Sequence, residues 1–436
     1  MVAMLVLEVL ESVKEIPDPY VRTVTYARVG EELTKRAHPL YKRAFLSAFE
    51  SLASIDDPFT MLKALLSIGI SLGRAKIKAY KKVFSRVFSE SRSLSPPQRD
   101  ELLKMASLSL LSLGDIGEAI TFAAEISDDD LRQATLVSLV RGISRSLELK
   151  PIKTAYRLRK IRLILEYITD EPYRSKALLE LSKALIALGS YESAFSAVRE
   201  MNSQEWAKQA FKELAFRLSE LGVIERYADS FIALAEELSK KFGEGFIPEL
   251  STALALAGRG ELAVGMLRKV GDMNLFERVA LDVLDKNPSS LGVFLGALSE
   301  DEARAVGKAL MNRILEEPGL EKRDIVNTIA RFSRSEEVWA KVARFYTLVG
   351  DIESARKIGL VLQNQRLRSI VMADVAHHYL KQGDVERAVD TALEVRDRRF
   401  ASILMSEILI KALQEELKGV SNGKVKVANR KAGEQA

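Results

Sequence analysis

Five stretches of the chain repeat one short phrase: LGDIGEA around Gly114, LGSYESA around Gly189, AGRGELA around Gly258, VGDIESA around Gly350 and QGDVERA around Gly383. A small-residue turn followed by a fixed Glu and Ala, returning at multiples of about 33 to 36 residues, is the mark of stacked helical hairpins. This restricts the fold far more than the role, because such an array is a way of presenting surface.

The glycines set a register. Seven residues before each stands a small residue, Ser107, Ser182, Ala215, Ser251, Ala343 or Ala376, where a second helix must come close. Four before stand Leu110, Leu185, Leu218, Leu254, Tyr346 and Tyr379; eleven before stand Leu103, Leu178, Phe211, Ile247, Trp339 and Met372. Together they form an apolar stripe at helical spacing. The glycine ends the helix, since a left-handed residue reverses the chain cheaply only without a side chain. Five residues later Ala119, Ala194, Ala263, Ala355 and Ala388 open the second helix; Gly222 belongs to the series but is followed by Tyr227 there.

Each hairpin also begins with an apolar residue and a polar cap. Ile16-Pro-Asp-Pro-Tyr, Ile55-Asp-Asp-Pro-Phe, Leu94-Ser-Pro-Pro-Gln, Ile126-Ser-Asp-Asp-Asp and Ile168-Thr-Asp-Glu-Pro-Tyr all offer Asp, Ser or Thr, several with proline in the first turn. Asn287-Pro-Ser-Ser and Glu317-Pro-Gly are plain breakers, and no stretch alternates as a strand does.

The pattern resembles the tetratricopeptide repeat. The Gly350 unit matches best, with Trp339, Ala343, Tyr346, Gly350, Asp351 and Ala355 at that family's spacings; Ser or Ala replaces the family's close-packing glycine in every unit of the series. The resemblance implies an all-α, right-handed α-solenoid of about eleven stacked hairpins. The solenoid is expected to span residues 1–418, with an amphipathic N-terminal capping helix at 1–15 and strongly degenerate repeats at 20–54 and 274–332; the resemblance is clearest over residues 98–265 and 335–417. Residues 419–436 lose apolar periodicity and read as a disordered basic tail.

Composition narrows the chemistry. Cysteine is absent, which excludes disulfides, thiolate metal sites and cysteine nucleophiles. Asn and Gln total 17 against 125 charged residues, the habit of a protein from a hot environment. No apolar run reaches a membrane span, so a soluble, cytoplasmic protein is expected. The three histidines, His38, His377 and His378, are too few for a structural metal site, even with Asp374 one turn before His378. Neither a phosphate-cradling loop nor a nucleophile elbow occurs. The chain therefore reads as non-enzymatic, with no catalytic, cofactor-binding or metal-binding residues.

Two surfaces compete for the role. In tetratricopeptide proteins, residues six and ten before the turn glycine face a concave groove that holds a peptide or helix of a partner. The resemblance places Lys183, Phe216, Arg344 and His377 at the six-before sites, and Leu179, Lys212, Ala340 and Ala373 at the ten-before sites. Lys183, Lys212, Arg344 and His377, with Lys341 nearby, suit an acidic segment of another protein. The alternative partner is nucleic acid. Residues 1–162 hold 26 Lys and Arg against 19 Asp and Glu. The excess gathers in Arg74–Arg92 and Arg141–Arg162, where Lys78, Lys82, Arg157 and Arg159 mark a basic stripe suited to phosphate. A third reading is a structural or self-associating subunit.

Overall fold

The computed structural model describes residues 2–243, 245–395, 397, 401–411 and 413, with side chains from Val6 onward. The expected tail at 419–436 lies outside them. Every regular element among the described residues is a helix. None is long and apolar enough to cross a membrane. The chain divides into two compact units, residues 1–214 and 215–436.

In the first unit, Val2–Lys14 precedes a series of antiparallel pairs: Pro19–Lys35 with Tyr41–Leu52, Pro58–Arg74 with Tyr80–Glu90, Pro96–Ser112 with Ile116–Ala124, Asp129–Leu149 with Thr154–Tyr167, and Tyr173–Ala187 with Tyr191–Arg199. The first helices of successive pairs lie side by side. In the second unit the same alternation runs through Ile247–Leu256 with Gly260–Val270, Met273–Lys286 with Leu291–Gly296, Glu300–Glu316 with Arg323–Ser333, Glu336–Leu348 with Ile352–Val361, and Gln365–Lys381 with Val385–Leu393. The degenerate stretch 274–332 is thus hairpins whose turns are built by Asn287-Pro288 and Glu317-Pro318-Gly319.

The turn glycines have the conformation their spacing predicts. Gly114, Gly189, Gly222, Gly258, Gly350 and Gly383 all have φ between 68° and 87°. At each, the N–H of the following residue donates to the carbonyl four before the glycine, as Asp115 does to Leu110 and Asp384 to Tyr379, at 2.9 and 3.0 Å. The register residues are buried where expected: Ser107, Ala215, Ser251, Ala343 and Ala376 are fully enclosed, as are Ala119, Ala194, Ala263, Ala355 and Ala388. The two sets meet directly at Ser107, whose Oγ donates to the Ala119 carbonyl at 2.8 Å.

Two turns without glycine have the same geometry. Ala37 and Lys76 are left-handed, at φ 52° and 59°, and His38 and Ile77 donate to the carbonyls of Leu33 and Leu72 at 2.9 Å. Seven residues before them stand Gly30 and Gly69, where a Cβ would lie 2.9 Å from the Phe45 ring and 3.1 Å from that of Phe84. The close-packing position is therefore glycine in these two hairpins, a correction to the Ser or Ala of the glycine-turn series. What the turn lacks, the helix contact supplies.

The caps are partly as expected. Asp18, Asp57 and Asp128 accept from the N–H groups of Val21, Thr60 and Leu131 at 3.0, 2.8 and 2.8 Å. Ser95 does not cap, because its hydroxyl donates to Gln98 Oε1 instead. Stacking is secured by polar staples between hairpins. Buried Asp100 accepts from Ser127 and Asp128 N–H, both at 2.9 Å. Glu336 does the same for Gln363 and Asn364 at 2.6 and 2.8 Å. Each carboxylate thereby fixes the chain entering the next first helix.

Candidate partner-binding surfaces

The predicted groove residues fall in both units. In the first unit Lys183 is only 21% exposed and lies 3.7 Å from Glu180, which also accepts from Arg141 Nε at 3.2 Å. Its charge is already answered. Lys212 is half-buried.

In the second unit three predicted residues lie on adjacent first helices. Lys341 Nζ donates to Asn312 Oδ1 at 2.6 Å across to Glu300–Glu316. Arg344, one turn further along Glu336–Leu348, is exposed and has no ion pair among the described residues. His377 of Gln365–Lys381 is 44% exposed, its Nε2 3.4 Å from Glu407 Oε2 on the helical residues 401–411. Between them lies Asp374, which the groove positions did not single out. Burial pushes its carboxyl above the usual range, against the opposing pull of Arg344, His377 and Lys381. Three cationic or protonatable groups thus surround a half-buried acid. The signal available for Asp374 was its helical spacing from the histidines, but the charge acting on it most is that of Arg344, ahead of His377, while His378 bonds Gln382 at 2.9 Å.

The basic side is divided. Lys78, Lys82 and Arg159 are exposed and have no acidic partner among the described residues. Arg157 is different. Its Nη1 donates to the carbonyls of Ser146 and Lys150 at 3.2 and 3.0 Å, closing the end of Asp129–Leu149. Nor is the stripe continuous, since the hairpin between its halves brings Asp115 within 3.1 Å of Lys81 Nζ and 3.0 Å of Tyr80 Oη.

The repeated turn and paired helices define a tetratricopeptide-like helical-repeat protein. No family model and no curated protein matches the chain. Among solved structures it is similar to Ton1535 from Thermococcus onnurineus NA1, at 14% identity and a TM-score of 0.26, covering 92% of this chain and 94% of that one. It is also similar to the pentatricopeptide repeat protein PPR10 from maize, at 14% identity and a TM-score of 0.30, covering 97% and 68%. A circular tandem repeat protein with novel repeat topology shows 14% identity and a TM-score of 0.17, covering 93% and 98%. The helical-repeat class follows from the chain's own hairpins.

Proposed function

We propose that the protein is a non-enzymatic scaffold that holds an acidic segment of another protein against the first-helix face of its second unit. The observation that carries this reading is Arg344, an exposed guanidinium without an ion pair among the described residues, with Lys341 on its own helix and His377 on the neighbouring first helix. Guanidinium is the side chain best shaped for two-point bonding to a carboxylate. Asp374 beside it keeps the face from being uniformly positive and sets where a partner carboxylate docks. The first unit contributes less, because Glu180 already neutralises Lys183. The test is partner capture by the full chain and by a Lys341→Glu, Arg344→Glu variant. Loss of the partner with an unchanged melting temperature supports the reading; full retention contradicts it.

A further inference from the structure

Second helices that follow a left-handed turn residue are of two kinds. After the glycine turns, Glu118, Glu192, Glu261, Glu353 and Glu386 occupy the first turn, where the helix dipole favours an acid. After left-handed Ala37, Lys76 and Lys153 the first turn holds no acid. There the chain reads Tyr41-Lys42-Arg43, Tyr80-Lys81-Lys82 and Tyr156-Arg157. A lysine lies over each tyrosine ring, with Lys42, Lys81 and Lys160 at 6.0, 6.0 and 5.7 Å.

Both features are locally unfavourable. Cations in a helix's first turn oppose the dipole, and a lysine in the left-handed region carries strain that glycine would not. First-turn cations and a left-handed residue other than glycine coincide in the same three hairpins, all in the first unit, and in two of them that residue is lysine. Packing accounts for part of this, since Arg43 pairs with Glu11, Lys81 with Asp115, and Arg157 bonds two carbonyls. Lys76, Lys78, Lys82, Lys150, Lys153 and Arg159, by contrast, are exposed, and none has an acidic partner among the described residues. The turns at Ala37, Lys76 and Gly114 lie level, because Pro19–Lys35, Pro58–Arg74 and Pro96–Ser112 are each 17 residues long and adjacent, whereas Asp129–Leu149, which leads to Lys153, has 21 residues. The contact between Gly73 and Leu113 confirms this at the second and third turns.

We propose that this turn edge of the first unit binds the phosphate backbone of a single-stranded nucleic acid. Asp115 separates the cations into two clusters, which a flexible strand spans more readily than a stiff duplex. Tyr156, 45% exposed, gives a ring on which an unpaired base can stack. This surface is independent of the first-helix face proposed for a protein partner.

The test is fluorescence anisotropy of the full chain with labelled oligouridylate and oligodeoxythymidylate of about 20 nucleotides. Binding is expected at about 50 mM salt, weakening roughly tenfold or more by about 200 mM as counterions are released. Lys76→Gly with Lys153→Gly removes two charges while relaxing both turns. Affinity should fall about fivefold or more, and the melting temperature should hold or rise. A purely structural role for these lysines would leave affinity unchanged. Should that variant misfold, the exposed pair Lys78→Gln and Lys82→Gln is read in its place. Removal of two exposed cations in the second unit, Lys269→Gln and Lys357→Gln, should change affinity little. Four results would each overturn the proposal: no binding at low salt, unaltered affinity in the turn variants, an equal loss in the second-unit control, or retention on phosphatidylserine vesicles without oligonucleotide binding.

Discussion

Arg268 grips Glu302 through two bonds, Nε to Oε1 at 3.0 Å and Nη2 to Oε2 at 2.7 Å, tying one hairpin to the next but one. The same carboxylate accepts from the Ser299 N–H at 2.7 Å, closing the reciprocal cap of Glu300–Glu316. These bonds hold the Glu302 carboxyl at about 2, far below its ordinary value.

A folded-state value below the unfolded one contributes stability above the unfolded value and loses it as pH falls toward the folded one. The Glu302 contribution should therefore disappear between about pH 4.5 and pH 2. Arg268 is half-exposed, so screening limits the effect, and Glu302→Gln should cost about 1–2 kcal/mol at neutral pH. Urea melts at pH 7 and pH 2.5 check this. The variant and the wild type should differ at the first pH and converge at the second.

Asp374 should behave in the opposite sense. Burial raises its folded-state value, so its ionisation opposes folding, and stability falls as pH rises from the unfolded value of about 4 through the raised one. Asp374→Asn should then be neutral or stabilising at pH 7, by up to about 1 kcal/mol. A clear loss of stability would mean that the ionised form is needed to balance Arg344.

Gly350 and Gly383 have φ of 87° and 80°, and a Cβ at either would meet nothing within 4 Å. The cost of a side chain there is purely conformational. Valine at either position should destabilise by about 1–3 kcal/mol. An unchanged melting temperature would show that the turns relax freely.

Asp100 shows how the stack is held. Replacement by Ala strands the Ser127 and Asp128 N–H groups and should cost about 2 kcal/mol. Hydrogen exchange should locate the loss of protection at the start of Asp129–Leu149.

The glycine-marked hairpins were legible because only a residue without a side chain reverses a helix at no steric cost, and Gly114, Gly189, Gly350 and Gly383 announce themselves. The turns at Ala37, Lys76 and Lys153 were not, because a left-handed Ala or Lys is written no differently from a helical one. Gly30 and Gly69, with Leu33 and Leu72 following, were the surviving signal for the first two. For the surfaces, charge was legible and its partners were not. Nothing local distinguishes Arg157, which bonds two carbonyls, from Arg159, which has no acidic partner among the described residues. Lys183 and Arg344 likewise look alike until Glu180 is placed beside the first.

The central claim is that the Arg344 face of the second unit carries protein recognition. Its most direct test is the affinity of the acidic segment of a captured partner, measured by calorimetry against the full chain and the Arg344→Glu variant. Arg344 is exposed, so the substitution should alter stability by no more than about 0.5 kcal/mol. It should also weaken binding about tenfold or more. Equal affinity in the two proteins at equal stability would contradict the claim.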